Sequence, residues 1–357
     1  MPTDQPSKPT TGMRPIEPTA GSMGTPGLSG TQAGEFILRI PGSIANIGPG
    51  FDTLAVAVQL YLTLRVRREP EEPGFHPSTP TTGVLGTPLN FHFVDQKLEG
   101  ENYIERAFRF IAERHKFPIP PLVIQVESDI PMKGGLGSSA AATVAGLRLY
   151  EALAGPVDEQ ELLTTACELE GHPDNIAAAL LGGLTVSLEA GGTLHVLRSA
   201  WPESLAIVVA TPSVHLATKA SRAVLPVLVS REDAIFNVQR VAFLLEALRS
   251  GDFTLLREAL HDKLHQPYRT QIVPGLKEAL ALRHPSLFGV CLSGAGPSIC
   301  ALAEHDLDEI SAMIAEIYKE KEIPCRIQIL KVHPTNAPAK PQSEPASKPL
   351  AAPVHGS

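Results

Sequence analysis

The feature that most limits how this chain can fold is the stretch at residues 130–147, which reads IPMKGGLGSSAAATVAGL. An apolar run of strand character, LVIQVESDI, leads into it, and a run of small helix-forming residues follows it. Glycine at three of four consecutive positions permits backbone conformations that other residues resist, and it permits close approach of a ligand. The pattern therefore predicts a strand, a tight glycine loop and a helix that begins at the loop.

A helix that begins at such a loop presents its first backbone N–H groups to one spot. These groups carry partial positive charge and can hold phosphate without a side-chain cation. The lysine that follows the last glycine of the common phosphate-binding loop is absent here. The loop is therefore either an anion cradle of another design, to which Ser138 or Ser139 could add a hydroxyl, or a simple turn with a serine as N-cap.

Two further stretches combine glycine turns with polar side chains. Residues 41–58, PGSIANIGPGFDTLAVAV, place Asn46 and Asp52 on either side of a Gly-Pro-Gly turn, which an ordinary hairpin would also explain. Residues 292–303, LSGAGPSICALA, contain a second narrow loop. Each stretch alone is compatible with a purely structural turn.

A fourth stretch, ELEGHPDN at residues 168–175, collects acidic and amide side chains at a predicted helix end. Mg²⁺ prefers one or two carboxylates together with phosphate oxygens, so either Glu168 or Glu170 could serve as a ligand. His172 has no second His or Cys at metal-ligand spacing and is interpreted as a structural residue. Asp174 is expected to point away from any reaction at the neighbouring Asn175.

Composition limits the class of protein. With 357 residues, 43% hydrophobic and 19% charged, the chain can form about two globular domains. A formal net charge of −8 without a long basic run argues against a nucleic-acid partner. Four dispersed cysteines, the lack of an apolar stretch of the ~20 residues that a membrane span needs, and an N-terminus without an apolar signal core predict a cytoplasmic protein with no membrane partner.

The chain is predicted to have an ordered centre between two tails. Residues 1–34 and 334–357 are rich in small residues and proline and poor in large apolar ones, which predicts disorder. Between them, strand and helix patterns are mixed, which predicts an α+β protein with one lobe at 35–205 and a second at 206–333. The stretch FTLLREALHDKL at 253–264 is predicted to be a single helix.

Taken together, the four stretches resemble the GHMP small-molecule kinase superfamily, and within it the homoserine kinases. The family motifs P-x-S-x-A-N-x-G-x-G-F-D, P-x-x-x-G-L-G-S-S-A-A and S-G-(A/S)-G-P-S match residues 41–52, 131–141 and 293–298, in family order and spacing. The resemblance covers about residues 35–332. One departure is Gly134, where family members often have a bulky or basic residue.

The resemblance implies a two-lobed α+β GHMP kinase fold. The N-terminal ATP-binding lobe would contain a left-handed βαβ unit, the C-terminal lobe would be ferredoxin-like, and both substrates would bind between them. The implied activity is ATP-dependent phosphorylation of the side-chain hydroxyl of L-homoserine in threonine biosynthesis, by direct in-line transfer with Mg²⁺. A homodimer is also implied.

The resemblance further implies roles for individual residues. The receptor for the amino acid would consist of Asn46, Asp52, Asn175, Thr218, Arg222 and Arg269. Asp52 suits the ammonium group, and the two arginines suit the carboxylate. The ATP-binding residues would be Asn102 near the adenine and Pro131, Met132, Lys133, Gly134, Gly135, Leu136, Gly137, Ser138 and Ser139 around the phosphates.

The metal ion would be held by a loop serine and a helix glutamate. Ser139 and Glu168 are the predicted ligands of Mg²⁺, with Glu168 preferred over Glu170. Together with Asn175 they are the predicted catalytic residues. No residue is assigned as a general base, and the hydroxyl proton is expected to leave late, to phosphate or water.

Overall fold

The structure is a computed structural model that describes residues 35–68, 89–94, 100–214, 216 and 218–335. All of these residues belong to one compact unit. The predictions for residues 1–34 and 336–357 lie outside the described residues. Pro334 and Thr335 are described, so the described chain continues two residues past the predicted tail boundary.

In the described part of the chain, the first sheet contains six strands: β1 (Phe36–Ala45), β2 (Leu54–Arg68), β3 (Leu89–Phe93), β4 (Leu122–Ser128), β5 (Leu184–Ala190) and β6 (Thr193–Ser199). Its order is β3-β4-β2-β5-β6, and β1 pairs with β2. The predicted alternation in β2 is confirmed, because Leu60, Leu62 and Leu64 are all buried. The glycine loop follows the end of β4, and the first family motif connects β1 to β2.

Among the described residues, the helices of this first half are α1 (Tyr103–Arg114), α2 (Ser138–Ala154), α3 (Glu159–Glu170) and α4 (Pro173–Leu181). Helices α2 and α4 both pack on β1, and α1 packs on α2. The small residues predicted as the packing face of α2 are buried, including Ala141 and Ala145. Strands β3 and β4 are parallel and are joined through α1, which forms a βαβ unit. The hand of this crossover stays a prediction.

The second sheet contains β7 (Ala206–Pro212), β8 (Leu287–Leu292), β9 (Ile299–Ala303) and β10 (Cys325–Leu330). All neighbours are antiparallel, in the order β10-β7-β9-β8. Counted within this half, the order is 4-1-3-2, with helices after the first and third strands, which is the ferredoxin-like arrangement. That prediction is confirmed, whereas the division into two domains at residue 205 stays a prediction.

The helices of the second half are α5 (Thr218–Ala223), α6 (Arg231–Ser250), α7 (Leu256–Ala259), α8 (Gln266–Arg269), α9 (Leu276–Leu280) and α10 (Leu307–Glu320). The third family motif is the turn between β8 and β9. None of the helices in the described part of the chain combines the length and the apolar character that a membrane span requires.

The prediction of a single helix at 253–264 is wrong, since only α7 is helical there. The buried carboxylate of Asp262 accepts hydrogen bonds from the backbone N–H groups of Leu264, His265 and Gln266. In a continuing helix these N–H groups would donate to backbone carbonyls. Here they donate to the carboxylate of Asp262 instead, so the helix ends and α8 starts in a new direction.

Candidate active site

The three glycine-containing motifs meet at one place, although they lie far apart in the sequence. The Leu136 carbonyl accepts a hydrogen bond from the backbone N–H of Ser43 at 3.1 Å. The Gly134 carbonyl accepts one from the backbone N–H of Ser298, also at 3.1 Å. The loop between β4 and α2 is thus held on one side by the first motif and on the other by the third.

The close contact between the three motifs requires glycine at two positions of the loop, Gly135 and Gly137. The φ angles of Gly135 and Gly137 are 79° and 72°, in the left-handed region that favours glycine. A Cβ atom on Gly135 would lie 2.7 Å from the carbonyl oxygens of Ser293 and Gly296. A Cβ atom on Gly137 would collide with the hydroxyl of Ser43. The glycines therefore serve the packing of three loops as well as the turn itself.

We expect Gly137→Ala to lower the free energy of unfolding by about 2–4 kcal/mol, the sum of left-handed strain and overpacking against Ser43. Urea denaturation measures the change. The matched control is Gly191→Ala, because Gly191 also has a positive φ, 61°, but has nothing within 4 Å of an added Cβ. The control should lose about 1–2 kcal/mol from strain alone. Equal losses in both variants would show that the contact with Ser43 is unimportant.

The N-terminus of α2 has no side-chain cap. Gly137 is the N-cap residue, and no side chain accepts a hydrogen bond from the first turn. The structure therefore excludes the alternative in which a serine caps the helix. The first N–H groups of α2 remain available to an anion, which favours the anion cradle.

A cavity of about 330 Å³ opens at this helix N-terminus. It brings most of the predicted amino-acid receptor together with the glycine loop. Its polar wall consists of Asn46, Asp52, Lys133, Ser138, Ser139, Glu170, His172, Asp174, Asn175, Arg222 and Arg269. A phosphate-binding end and a cluster of opposite charges thus share one cavity.

Asp52 and Arg222 form a two-pronged ion pair in this cavity. The carboxylate accepts from both terminal nitrogens of the guanidinium, at 2.8 and 3.1 Å. The two side chains are 36% and 34% exposed, so solvent weakens the pair and a ligand can reach it. Arg222 Nη2 also lies 3.2 Å from Nδ1 of His172, which the sequence interpretation had treated as structural only.

Arg269 is the most deeply buried cation of the cavity, with 1% of its surface exposed. It donates hydrogen bonds to the carbonyls of Ser221 and Gly294, and its Nη1 lies 3.1 Å from Nδ1 of His265. Nε2 of that histidine lies 2.7 Å from the Gly48 carbonyl, which fits a neutral ring that donates there and accepts from Arg269. Burial lowers the pKa of Arg269 to about 10, so it stays charged at neutral pH. Its Nη2 makes no hydrogen bond to any described residue.

Asn175 is fixed through both ends of its amide. Its Oδ1 accepts from the Ser43 hydroxyl at 2.8 Å, and its Nδ2 donates to Asp174 at 3.2 Å. Asp174, which was expected to point elsewhere, is among the residues that line the same cavity, and its Oδ1 accepts from the backbone N–H and from Nδ2 of Asn175. Asp174 is only 3% exposed, and this burial raises its pKa to about 6.

The glutamate beside Ser139 is Glu170 and not Glu168. The Ser139 hydroxyl donates to Glu170 at 2.6 Å, and the Thr143 hydroxyl donates to the other carboxylate oxygen at 2.7 Å. Glu168 is exposed and pairs with Arg114 at 2.6 Å. Positions two apart on a helix point about 200° away from each other, so only one of the two glutamates can face α2. Glu168, the predicted Mg²⁺ ligand, therefore does not lie beside Ser139, whereas Glu170 does.

Asn102, Met132 and Leu136, which were predicted to bind ATP, are not among the residues that line the cavity. Asn102 is the N-cap of α1, and its side chain accepts from the backbone of Glu105 at 3.3 Å. The side chain of Leu136 is in the core, so it can offer a ligand only its backbone, while Met132 is exposed. Thr218 begins α5, and its side chain lies outside the described part of the chain.

Asn46 holds the first motif in place. It has a left-handed backbone, with φ 70°, and is buried. Its Nδ2 donates to the Gly294 carbonyl, and its Oδ1 accepts from the backbone of Asp52, both at 3.1 Å. The asparagine thereby joins the first and third motifs and positions the carboxylate of Asp52.

Comparison with known proteins identifies the family. Two regions, residues 102–183 and 244–320, match the "GHMP kinases N terminal domain" and "GHMP kinases C terminal" families. The chain is 37% identical to a homoserine kinase of Solibacter usitatus, over 80% of this chain and 90% of that one. It is 38% identical to a homoserine kinase of Moorella thermoacetica, over 82% and 96%. The chain belongs to the homoserine kinase family.

The fold agrees with this membership in the homoserine kinase family. A crystal structure of homoserine kinase from Cytophaga hutchinsonii superposes with a TM-score of 0.73, at 24% identity, over 86% of this chain and 98% of that one. A Lactococcus lactis galactokinase superposes with a TM-score of 0.59 at 15% identity. The expected GHMP kinase fold is confirmed.

Two aromatic residues of the cavity were not predicted for this member of the homoserine kinase family. The ring of Phe51 stacks on His265 with centroids 5.2 Å apart, and the guanidinium carbons of Arg222 and Arg269 lie 5.6 and 5.4 Å from its centre. Tyr103 follows Asn102 and is 37% exposed. Phe51 stands inside the first family motif, which is the signal that could have identified it.

Proposed function

We propose that the chain transfers the γ-phosphoryl group of ATP to the side-chain hydroxyl of L-homoserine, with Mg²⁺, to form O-phospho-L-homoserine. The proposal includes a role in threonine biosynthesis, a cytoplasmic location and a homodimer. The observation that carries it is one cavity in which Asp52, Arg222 and Arg269 lie together with the uncapped N-terminus of α2.

The charges of the cavity suit a zwitterionic amino acid. Asp52 and Arg222 neutralise each other in the absence of a ligand. An ammonium group at Asp52 and a carboxylate at Arg222 and Arg269 supply both partners at once, so the pair can open without leaving an unpaired charge. The free Nη2 of Arg269 adds a donor that no described residue uses.

The glycine loop suits the phosphates of ATP. Residues 133–139 bring backbone N–H groups and the start of α2 to one end of the cavity. Pro131, Met132 and Lys133 would flank the phosphates from the exposed side of the loop, and Asn102 at the start of α1 would lie near the adenine.

Two oxygen donors fit Mg²⁺ at this end of the cavity. Ser139 and Glu170 lie within 2.6 Å of each other, and no group of three or more His, Cys, Asp or Glu side chains that could hold a metal is found among the described residues. Mg²⁺ normally takes one or two protein ligands and completes its shell with phosphate oxygens and water. When bound, the ion would neutralise charge on the transferred phosphate.

The chain itself would contribute position and charge, which account for most of the catalysis of phosphoryl transfer. Asp52 and the two arginines would hold the backbone groups of homoserine, so that its side-chain hydroxyl extends toward the phosphate end. Asn175, held by Ser43 and Asp174, presents a fixed amide between the two ends. We assign no general base, and the hydroxyl proton would leave late, to phosphate or water.

A coupled assay of ADP release tests the proposed function. We expect ADP formation that depends on both L-homoserine and Mg²⁺, with mevalonate, shikimate and galactose giving less than about 1% of the rate, because mevalonate and shikimate lack the ammonium group that Asp52 would pair and galactose lacks both charged groups. ADP release with another alcohol and none with homoserine would overturn the proposal.

A further inference from the structure

A second cavity lies in the C-terminal half, outside the site described above. Its volume is about 500 Å³, which is within the range of small-molecule sites. Apolar side chains form much of its wall, among them the buried residues Leu260, Leu287 and Val290. Neither the proposed reaction nor the three glycine-containing motifs use this cavity.

Three cations border the second cavity: Arg257, Lys277 and Arg283. Arg257 donates to the carbonyls of His284 and Leu287, at 3.0 and 2.6 Å. Arg283 donates to two backbone carbonyls of the segment at 280–282. Neither these arginines nor Lys277 forms an ion pair with any described residue. Carbonyl groups orient a guanidinium but do not neutralise it, so both guanidinium groups keep their positive charge, and Lys277 interacts electrostatically with the adjacent Glu278.

The one carboxylate in the wall is not available to these cations. Asp262 is buried, and its oxygens accept from Asn237 and from three backbone N–H groups. These hydrogen bonds hold Asp262 in place without an ion pair to the rim cations. The cavity therefore combines an apolar interior with three cationic side chains, Arg257, Lys277 and Arg283, against the single carboxylate of Asp262 among its described lining residues.

We propose that the second cavity binds a small organic carboxylate with an aliphatic or aromatic body, held by Arg257, Lys277 and Arg283 over the apolar wall. A guanidinium matches a carboxylate with paired, charge-assisted hydrogen bonds. Burial of the apolar body supplies the rest of the affinity, so a bare anion or a neutral alcohol lacks one of the two contributions.

The second cavity is also connected to the substrate site. Gln266, Pro267 and Thr270 line it, and they belong to or adjoin α8, the helix whose last residue is Arg269. The side chain of Gln266 accepts from the backbone of Leu292, just before the third motif. We infer that a ligand in the second cavity shifts this helix and changes the KM for L-homoserine more than the KM for ATP. This coupling rests on the proposed function, whereas binding does not.

Calorimetric titration of the full chain with 4-methylpentanoate tests the binding. We expect one saturable site per chain, at least tenfold weaker binding of 4-methylpentan-1-ol, and at least tenfold weaker binding of inorganic phosphate. Lys277→Gln/Arg283→Gln should weaken 4-methylpentanoate binding at least tenfold, and both side chains are exposed, so the fold should tolerate the change. The matched control, Arg249→Gln/Lys319→Gln, removes two surface cations that pair with neighbouring glutamates. It should bind as the unchanged chain does.

Several outcomes would overturn the inference. Absence of saturable binding up to about 20 mM, equal binding of the alcohol or of phosphate, or equal weakening in the control variant would each reject the carboxylate site. If L-homoserine displaces 4-methylpentanoate and Lys277→Gln/Arg283→Gln binds it as tightly as the unchanged chain does, the ligand lies in the first cavity.

The coupling has its own test. If binding is found in a chain that phosphorylates homoserine, an unchanged KM for homoserine would reject the coupling. Binding in a chain without this activity would reject the proposed function and leave the site intact.

Discussion

Asp52→Asn is expected to lower kcat/KM for L-homoserine by about 10²–10³, while the affinity for ATP changes by less than about threefold. Removing one partner of a charged, hydrogen-bonded contact in a binding cavity costs about 3–4 kcal/mol, and 1.4 kcal/mol is a factor of ten. The backbone should be preserved, because Asp52 has φ 53° and asparagine tolerates the left-handed region. Steady-state kinetics and titration with a fluorescent ATP analogue measure the two effects.

The control for this substitution is Asp306→Asn. Asp306 also has a left-handed backbone, with φ 55°, but it is exposed and lies outside the cavity. It should keep kcat/KM within about twofold, since exposed substitutions away from a site have small effects. Loss of ATP affinity in Asp52→Asn to the same extent as loss of homoserine activity would instead show that Asp52 serves the nucleotide or the fold, and a thermal melt would distinguish these two.

Glu170→Gln is expected to lower kcat by at least about 10² and to raise the Mg²⁺ concentration required for half-maximal rate. The amide can still accept from Ser139 or Thr143, but it lacks the negative charge that a bound divalent ion requires. Loss of a group that stabilises transition-state charge costs about 10²–10³ in kcat. Titration of the rate with Mg²⁺ at saturating ATP and homoserine measures both quantities.

Glu168→Gln is the matched control for Glu170→Gln, since it makes the same chemical change two residues away on the same helix. Glu168 is exposed and paired with Arg114, so the rate and its Mg²⁺ dependence should change by less than about twofold. An impaired Glu168→Gln together with a normal Glu170→Gln would restore the assignment made from sequence and reject the one made from the structure.

Much of the fold could be predicted because its signals are local. The glycine loop, the strand before it and the helix after it depend on φ preferences and apolar periodicity, which belong to the residues themselves. The exception at 253–264 is instructive. Its helical pattern is real, but the side chain of Asp262 competes for the backbone N–H groups and ends the helix early. An aspartate also occurs on the exposed faces of helices, so the sequence pattern alone does not show that the side chain of Asp262 binds backbone N–H groups.

The amino-acid sequence by itself determined the α+β class and the three motifs, since spacing and backbone preference need no knowledge of distant contacts, and the resemblance to the family implied the residues of the receptor. Only the tertiary structure decided that Glu170 faces Ser139, that Asp174 lines the cavity and that Arg257, Lys277 and Arg283 border a second cavity. These features depend on how helix ends are rotated and on which segments pack together. Both follow from contacts between residues that are many positions apart, such as Ser43 with Asn175 and Gly134 with Ser298.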